Sequence, residues 1–185
     1  MSLKKICNGE GVHTRNISVT THADGMDGIV VEGVLKDDRL GHHYTYKREK
    51  LPPGTIHHMV IRIRVTGRKL TIEEIAVEMP GTPHGDCSEL KSSLDELVGI
   101  RIAPGFTEKV KMKVGGVKGC VHLTGLLLTM APAAVQGYWA NRSQNPDAGH
   151  ITLDALEQYL IDTCRVWRRD GPLVESVKSA VGDRS

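Results

Sequence analysis

Apolar residues in this chain alternate with polar ones as far as Met79, and from Cys87 onward they recur every third or fourth position. The first spacing puts apolar side chains on one face of a strand, the second on one face of a helix, so the first half should build a sheet and the second half lay helices on it. Ile29-Val30-Val31-Glu32-Gly33-Val34-Leu35 is rich in β-branched residues and follows an Ala23-Asp24-Gly25 turn. From Ile56 onward, Met59, Ile61, Ile63 and Val65 share one strand face, with His57 on it, while His58, Arg62 and Arg64 share the other. After a Thr66-Gly67-Arg68 turn, Leu70 and Ile72 fall in one register and Ile75, Val77 and Met79 in the opposite one; a one-residue bulge near Glu73 or Glu74 reconciles them.

Leu90, Leu94, Leu97 and Val98 predict a helix from Cys87, with Asp86 as N-cap, Glu89 completing a capping box and Gly99 as the stop. Thr107 to Val114 fits either a short helix or a strand. The longest helix starts near Cys120, turns Leu123, Leu126, Leu127, Met130, Ala134 and Tyr138 inward, and is expected to kink at Pro132. A helix capped by Thr152 aligns Leu153, Leu156, Leu160 and Trp167 and ends at Asp170-Gly171-Pro172, before a last short helix. The expected fold class is α+β, an antiparallel sheet from the N-terminal half packed against three or more helices from the C-terminal half. Residues 1–140 are expected to form a single domain and 141–150 a polar linker. Residues 151–185 would be a helical extension that packs on the same domain or on a second copy.

Composition narrows the function. The 24 basic and 22 acidic residues leave a net charge of +2, so no general field draws the chain to nucleic acid or an anionic membrane. One Phe, two Trp and four Tyr offer few platforms for stacked bases, a second argument against nucleic acid. No apolar run approaches the roughly 20 residues that span a bilayer, and Lys4-Lys5-Ile6-Cys7-Asn8-Gly9 lacks an apolar signal core. The expectation is a cytoplasmic protein, whose four cysteines are buried, metal-bound or catalytic rather than bridged. There is no G-x-S-x-G elbow, P-loop, H-E-x-x-H or Rossmann glycine fingerprint, which argues against hydrolases, nucleotide-dependent enzymes and dehydrogenases of familiar type.

What remains is a set of thiols and imidazoles. Cys87 and Cys120 both fall at helix starts, where free backbone N–H groups favour a thiolate. His122 lies two residues beyond Cys120, Asp86 and His84 flank Cys87, and His57 adds an imidazole on a core-facing strand side. Cys120 and His122 would stand roughly 200° apart on a regular helix, so one of them must lie in the glycine-rich approach if both are to face one ion. Each has a plainer reading: free cysteine is often an apolar filler, and a histidine on an apolar face is often only hydrogen-bonded core. Cys7 and Cys164 are read as such fillers, His42, His43 and His150 as solvated turn residues, and Asp37-Asp38 and Glu73-Glu74 as solvated charge.

Ile56-His57-His58-Met59 opening a strand, Pro83-x-x-x-Cys87 before a segment ending in Gly99, and Gly119-Cys120-x-His122-Leu123 opening the next helix resemble the bacterial domain-of-unknown-function family 2889. His13-x-Arg15 and Asp24-Gly25 fit the same pattern, and the resemblance covers residues 13 to 140. It implies functional roles for His57, Cys87, Cys120 and His122 but no assigned activity. A thinner resemblance, to iron–sulfur scaffold proteins, rests on an early cysteine beside an aspartate and a Gly-Cys helix start; the order Asp86-Cys87 is reversed from theirs.

Three readings follow. The first is a small bacterial metal- or iron–sulfur-handling protein, with zinc, iron or an iron–sulfur cluster held by Cys87, Cys120 and His122 and completed by His57 or Asp86. The second is a thiol-dependent enzyme with Cys120 or Cys87 as nucleophile and His122 or His57 as base. The third is a non-enzymatic module in which the cysteines and histidines merely pack and a pocket between sheet and helices holds a partner or an apolar small-molecule ligand of unknown identity, with Arg165, Arg168 and Arg169 around Trp167 as the contact surface. The C-terminal helix could also mediate a homo-oligomer.

Overall fold

The structure, a computed structural model, describes residues 3–144 and 152–182. After a short helix α1 (Leu3–Cys7), strands β1 (His13–Ala23) and β2 (Gly28–Arg39) form a hairpin. A small ribbon, β3 (His43–Tyr44) and β4 (Lys50–Leu51), follows, and then a second hairpin, β5 (Gly54–Thr66) and β6 (Thr71–Gly81). The long strands make one antiparallel sheet in the order β1-β2-β5-β6. The C-terminal half is a 3-10 helix (Gly85–Leu97), α2 (Phe106–Val114), α3 (Val121–Ser143), α4 (Leu153–Tyr159) and α5 (Pro172–Gly182). The fold is α+β.

Strand alternation sorts the sheet into two faces. Ile29, Val31 and Leu35 of β2 and Met59, Ile61, Ile63 and Val65 of β5 are fully buried on the inner face. The outer face carries ion pairs: Arg62 to Glu32 (2.7 Å) and Glu78 (2.5 Å), and Arg64 to Asp24 (2.9 Å). The expected bulge falls at Glu73, since Arg64 pairs with Glu74 and Val65 with Ile72. That extra residue lets Ile72 reach the core while Ile75, Val77 and Met79 keep packing against it.

Helix α3 covers the inner face. All six residues expected to point inward, Leu123, Leu126, Leu127, Met130, Ala134 and Tyr138, are buried, and the helix continues through Pro132. Two glycines let it approach the sheet closely: a Cβ at Gly33 would run into Leu126 and Met130, and one at Gly137 into Thr21. The helix therefore lies antiparallel to β2, its first turn over the end of that strand and its last turn at the β1–β2 turn.

Two helices depart from expectation. The segment around Cys87 is a 3-10 helix whose N-cap is His84, without a side-chain cap, so Asp86 is exposed in the first turn rather than capping. Ser88 and Ser93 donate their hydroxyls to the carbonyls of Gly85 (2.9 Å) and Leu90 (2.6 Å), three residues back, which favours the tighter winding over an α-helix. Leu94 and Leu97 are buried as expected, but Val98 is exposed. Thr152 does cap its helix, accepting from the Ala155 N–H at 3.2 Å, yet α4 stops at Tyr159. Asp162 then takes a left-handed conformation (φ 63°) and accepts from the Arg169 N–H at 2.8 Å, an alternative to helical bonding that short polar side chains offer.

The expected linker from Asn141 to His150 opens with the last turn of α3, and its residues 145–150 lie outside the described part. Tyr159 ties the C-terminal segment to the main core and donates to the Arg68 carbonyl at 3.0 Å. Cys7 and Cys164, expected as buried fillers, are exposed. No helix among the described residues is long and apolar enough to cross a membrane.

Candidate functional site

Three adjacent strands place three polar side chains in one row on the inner face. Asp37 pairs with Arg15 of β1 on one side and His57 of β5 on the other. Residues directly opposite in a sheet lie close enough for side chains to meet. Arg15 grips the Asp37 carboxylate side-on, donating from Nε to Oδ1 at 2.6 Å and from Nη2 to Oδ2 at 2.7 Å. His57 Nδ1 lies 3.0 Å from Oδ2. The β2–β5 register shifts immediately after this row, where Ile56 is skipped. The shift leaves Asp38 outward, accepting from Thr55 Oγ1 at 2.6 Å.

The first turn of α3 closes the row from above. His122 sets its Nε2 3.9 Å from Asp37 Oδ2 and stacks its ring on His57, centroids 3.8 Å apart at 33°. Cys120 is the N-cap, with extended backbone (φ −108°, ψ 127°), so it lies in the approach to the helix rather than in it. Its Sγ is 3.8 Å from His122 Nδ1, on the side of the ring away from Asp37. His13, two residues before Arg15 and so on the same strand face, brings Nε2 to 3.8 Å from Asp37 Oδ1.

A buried carboxylate therefore organises a rim of donors. The Asp37 side chain is only 2% exposed, while Arg15 and His13 are 46% and 43% exposed. The hydrogen bonds from Arg15, and after them that from His57, hold the Asp37 carboxyl down to about 2 against the opposing push of burial. Burial first, then the neighbouring His57 and Arg15, push the His122 imidazole below its ordinary value, with the Asp37 carboxylate pulling the other way. His122 is thus favoured in its neutral form, able to bind a metal or accept a proton.

Of the residues singled out from the sequence, His57, Cys120 and His122 meet here. Cys87 and Asp86 stand outside this group, in the 3-10 helix, where Cys87 is half-buried. Asp37 and Arg15 were missed as site residues. Extending the alternation of Ile29, Val31, Gly33 and Leu35 by one step puts Asp37 on the inner face, just as extending Met59 back one step finds His57. Around Trp167, Arg169 pairs with Glu157 and Asp162, and Arg168 with Asp170. A separate, largely apolar cavity of about 680 Å³ lies between α3 and the C-terminal segment, lined by residues that include Phe106, Leu128, Tyr159 and Trp167.

Residues 13–136 match the family of proteins of unknown function DUF2889. The chain belongs to that family. No curated protein and no solved structure matches the chain. The DUF2889 match begins at His13 and takes in every residue of the cluster, whereas α4 and α5 fall beyond its end.

Proposed function

We propose that this DUF2889 protein binds one divalent transition-metal ion, zinc or iron, through Asp37, His57 and His122. The observation that carries the reading is that one ligand atom from each of the three lies within 4.8 Å of the others. An ion with ligands at roughly 2.1 Å spaces neighbouring ligand atoms about 3.0–3.4 Å apart. His57, at 3.0 Å from Asp37 Oδ2, already has that spacing, and His122, at 3.9 Å, is about half an ångström beyond it. In this arrangement Cys120 is not a metal ligand: its Sγ accepts from His122 Nδ1–H, which leaves Nε2 free for the ion. Three ligands leave coordination positions for water or substrate, as reactive rather than structural sites do. Two imidazoles and a carboxylate favour a single ion over an iron–sulfur cluster, which is held mainly by thiolates. Arg15 already neutralises Asp37, so the ion is bound less tightly than an all-anionic set would bind it.

Metal analysis of protein purified without chelator tests this. Wild-type protein should carry close to one ion, His57→Ala and His122→Ala should lose it, and Cys87→Ala should keep it. A metal-free wild type, after loading with zinc and with iron(II), would end the reading, as would two histidine variants with full metal content.

A specific observation favours a second reading, thiol catalysis. Cys120 Sγ, the His122 ring and Asp37 Oδ2 stand in the order nucleophile, base and orienting acid, with gaps of 3.8 and 3.9 Å. Rapid alkylation of Cys120, but not of Cys87, in metal-free protein near neutral pH, lost in His122→Ala, would support it. Equal, slow alkylation of both would count against it.

A further inference from the structure

A charged donor beside the site has no acceptor among the described residues. Arg39 lies on β2 two residues beyond Asp37 and pairs directly with His13, so strand alternation puts it on the same face as the cluster. Its Nε is buried and has no hydrogen-bond partner among the described residues. His43 Nδ1, on β3, is in the same condition. Burial, and after it the nearby Arg39 charge, depress the basicity of His43, which places the two groups within each other's field. Buried donors without acceptors are rare in folded proteins; Trp139 Nε1 is another here, and what sets Arg39 apart is its charge and its place on the face of the Asp37 cluster.

The charges around the site agree. Arg15 is matched by Asp37, while no carboxylate among the described residues pairs with Arg39. Asp38, the nearest acid in sequence, accepts from Thr55 and pairs with Lys36. Arg15 spends Nε and one Nη2 hydrogen on Asp37, so its outer edge, Nη1 with the second Nη2 hydrogen, is a fork without an acceptor among the described residues. Residues diagonal across a strand pair stand about 7–8 Å apart, within reach of two arginine side chains converging on one small group. His13 lies between them, half exposed and too far from Asp37 to hydrogen-bond it.

We infer that Arg15, His13 and Arg39 form a subsite for a carboxylate, which anchors an organic acid substrate beside the Asp37–His57–His122 centre. The inference rests on the proposed centre only for what happens to the rest of the molecule; the anion contact is made by the arginines. A carboxylate suits the site better than a phosphate because only one positive charge, that of Arg39, is left without a counter-charge and because a planar fork matches a planar carboxylate.

Titration of ¹⁵N-labelled protein with propionate, following the arginine Nε–H resonances, tests the subsite, with inorganic phosphate and uncharged propionamide as the other arms. Zinc-loaded and chelator-treated protein should be titrated in parallel. Propionate should shift the Arg15 and Arg39 resonances saturably and propionamide should not. Arg39→Gln should weaken propionate binding at least tenfold while retaining wild-type metal content. Arg15→Lys, which keeps the charge but loses the fork, should weaken it as well. No saturable shift with propionate, phosphate binding in preference to propionate, or an Arg39→Gln protein that binds like wild type would each overturn the inference. Propionate binding by protein that takes up no metal would leave the subsite standing and remove the proposed centre, whereas metal uptake without propionate binding would do the reverse.

Discussion

The two ends of α3 meet the sheet in opposite ways. At its C-terminal end the polar groups that pin it have acceptors: Tyr138 donates to Asp27 at 2.5 Å, Arg142 pairs with Asp27 at 2.6 Å, and Asn141 donates to the carbonyls of Gly25 and Gly28 at 2.9 and 3.2 Å. At its N-terminal end one carboxylate, Asp37, faces Arg15, His57, His122 and His13, and the helix start has no side-chain cap. The groups that pin the latch are satisfied within the fold, although Trp139 Nε1 beside them is buried without a partner among the described residues. A site needs some left over, held rigidly and open to solvent, and the rim of Arg15 and His13 is held that way. The latched end lets the other stay under-satisfied without the helix lifting from the sheet, the usual trade between stability and function.

Breaking each end separates the two roles. The largest effect is expected from Asp37→Ala, which strips the acceptor from Arg15 and His57: about 2–3 kcal/mol of stability by urea denaturation, less than for a fully buried pair because Arg15 can turn to water, together with loss of bound metal. Asp27→Ala, at the latch, should cost about 1–2 kcal/mol, mainly by leaving the Tyr138 hydroxyl buried without its acceptor, while metal content stays at the wild-type level. If Asp27→Ala also emptied the site, the two ends would be coupled through α3 rather than independent.

The finest discrimination comes from pH. Asp37 titrates lower in the folded protein, at about 2, than its ordinary 3.8, so its contribution is complete above pH 4 and is lost as pH falls from there toward 2. Tyr138 is pushed up to about 12, first by burial and then by its bond to Asp27, so its contribution is complete below pH 10 and is lost as pH rises toward 12. Each shift corresponds to about 2–3 kcal/mol at most. Stability curves of metal-free protein should therefore weaken at the site end in acid and at the latch in alkali. The acid loss should be diminished in Asp37→Ala and the alkaline loss in Tyr138→Phe. The opposite pattern would mean that other groups govern both limits.

His57, Cys120 and His122 were legible because each lies within a strong local pattern, a strand face or a helix start. Asp37 was not, because a pair of acids at the end of an apolar run reads as solvated charge. Alternation sends one of any two consecutive strand residues inward, and here that one meets Arg15. Arg15 stood out only in the His13-x-Arg15 pattern and Arg39 not at all, since the role of each comes from the strands beside it. Cys87 and Asp86 looked equivalent to Cys120 in sequence, yet their segment winds as a 3-10 helix and holds them outside the cluster.

The order of layers, the inner faces of β2 and β5, the bulge at Glu73 and the six buried positions of α3 follow from the amino-acid sequence by itself, because periodicity and propensity act over a few neighbouring residues. The row Arg15–Asp37–His57, the placement of His122 above it and the stranding of Arg39 were decided only by tertiary structure. They depend on which strands are neighbours, on their register and on how closely two glycines let a helix approach, all of them relations between residues far apart in the chain.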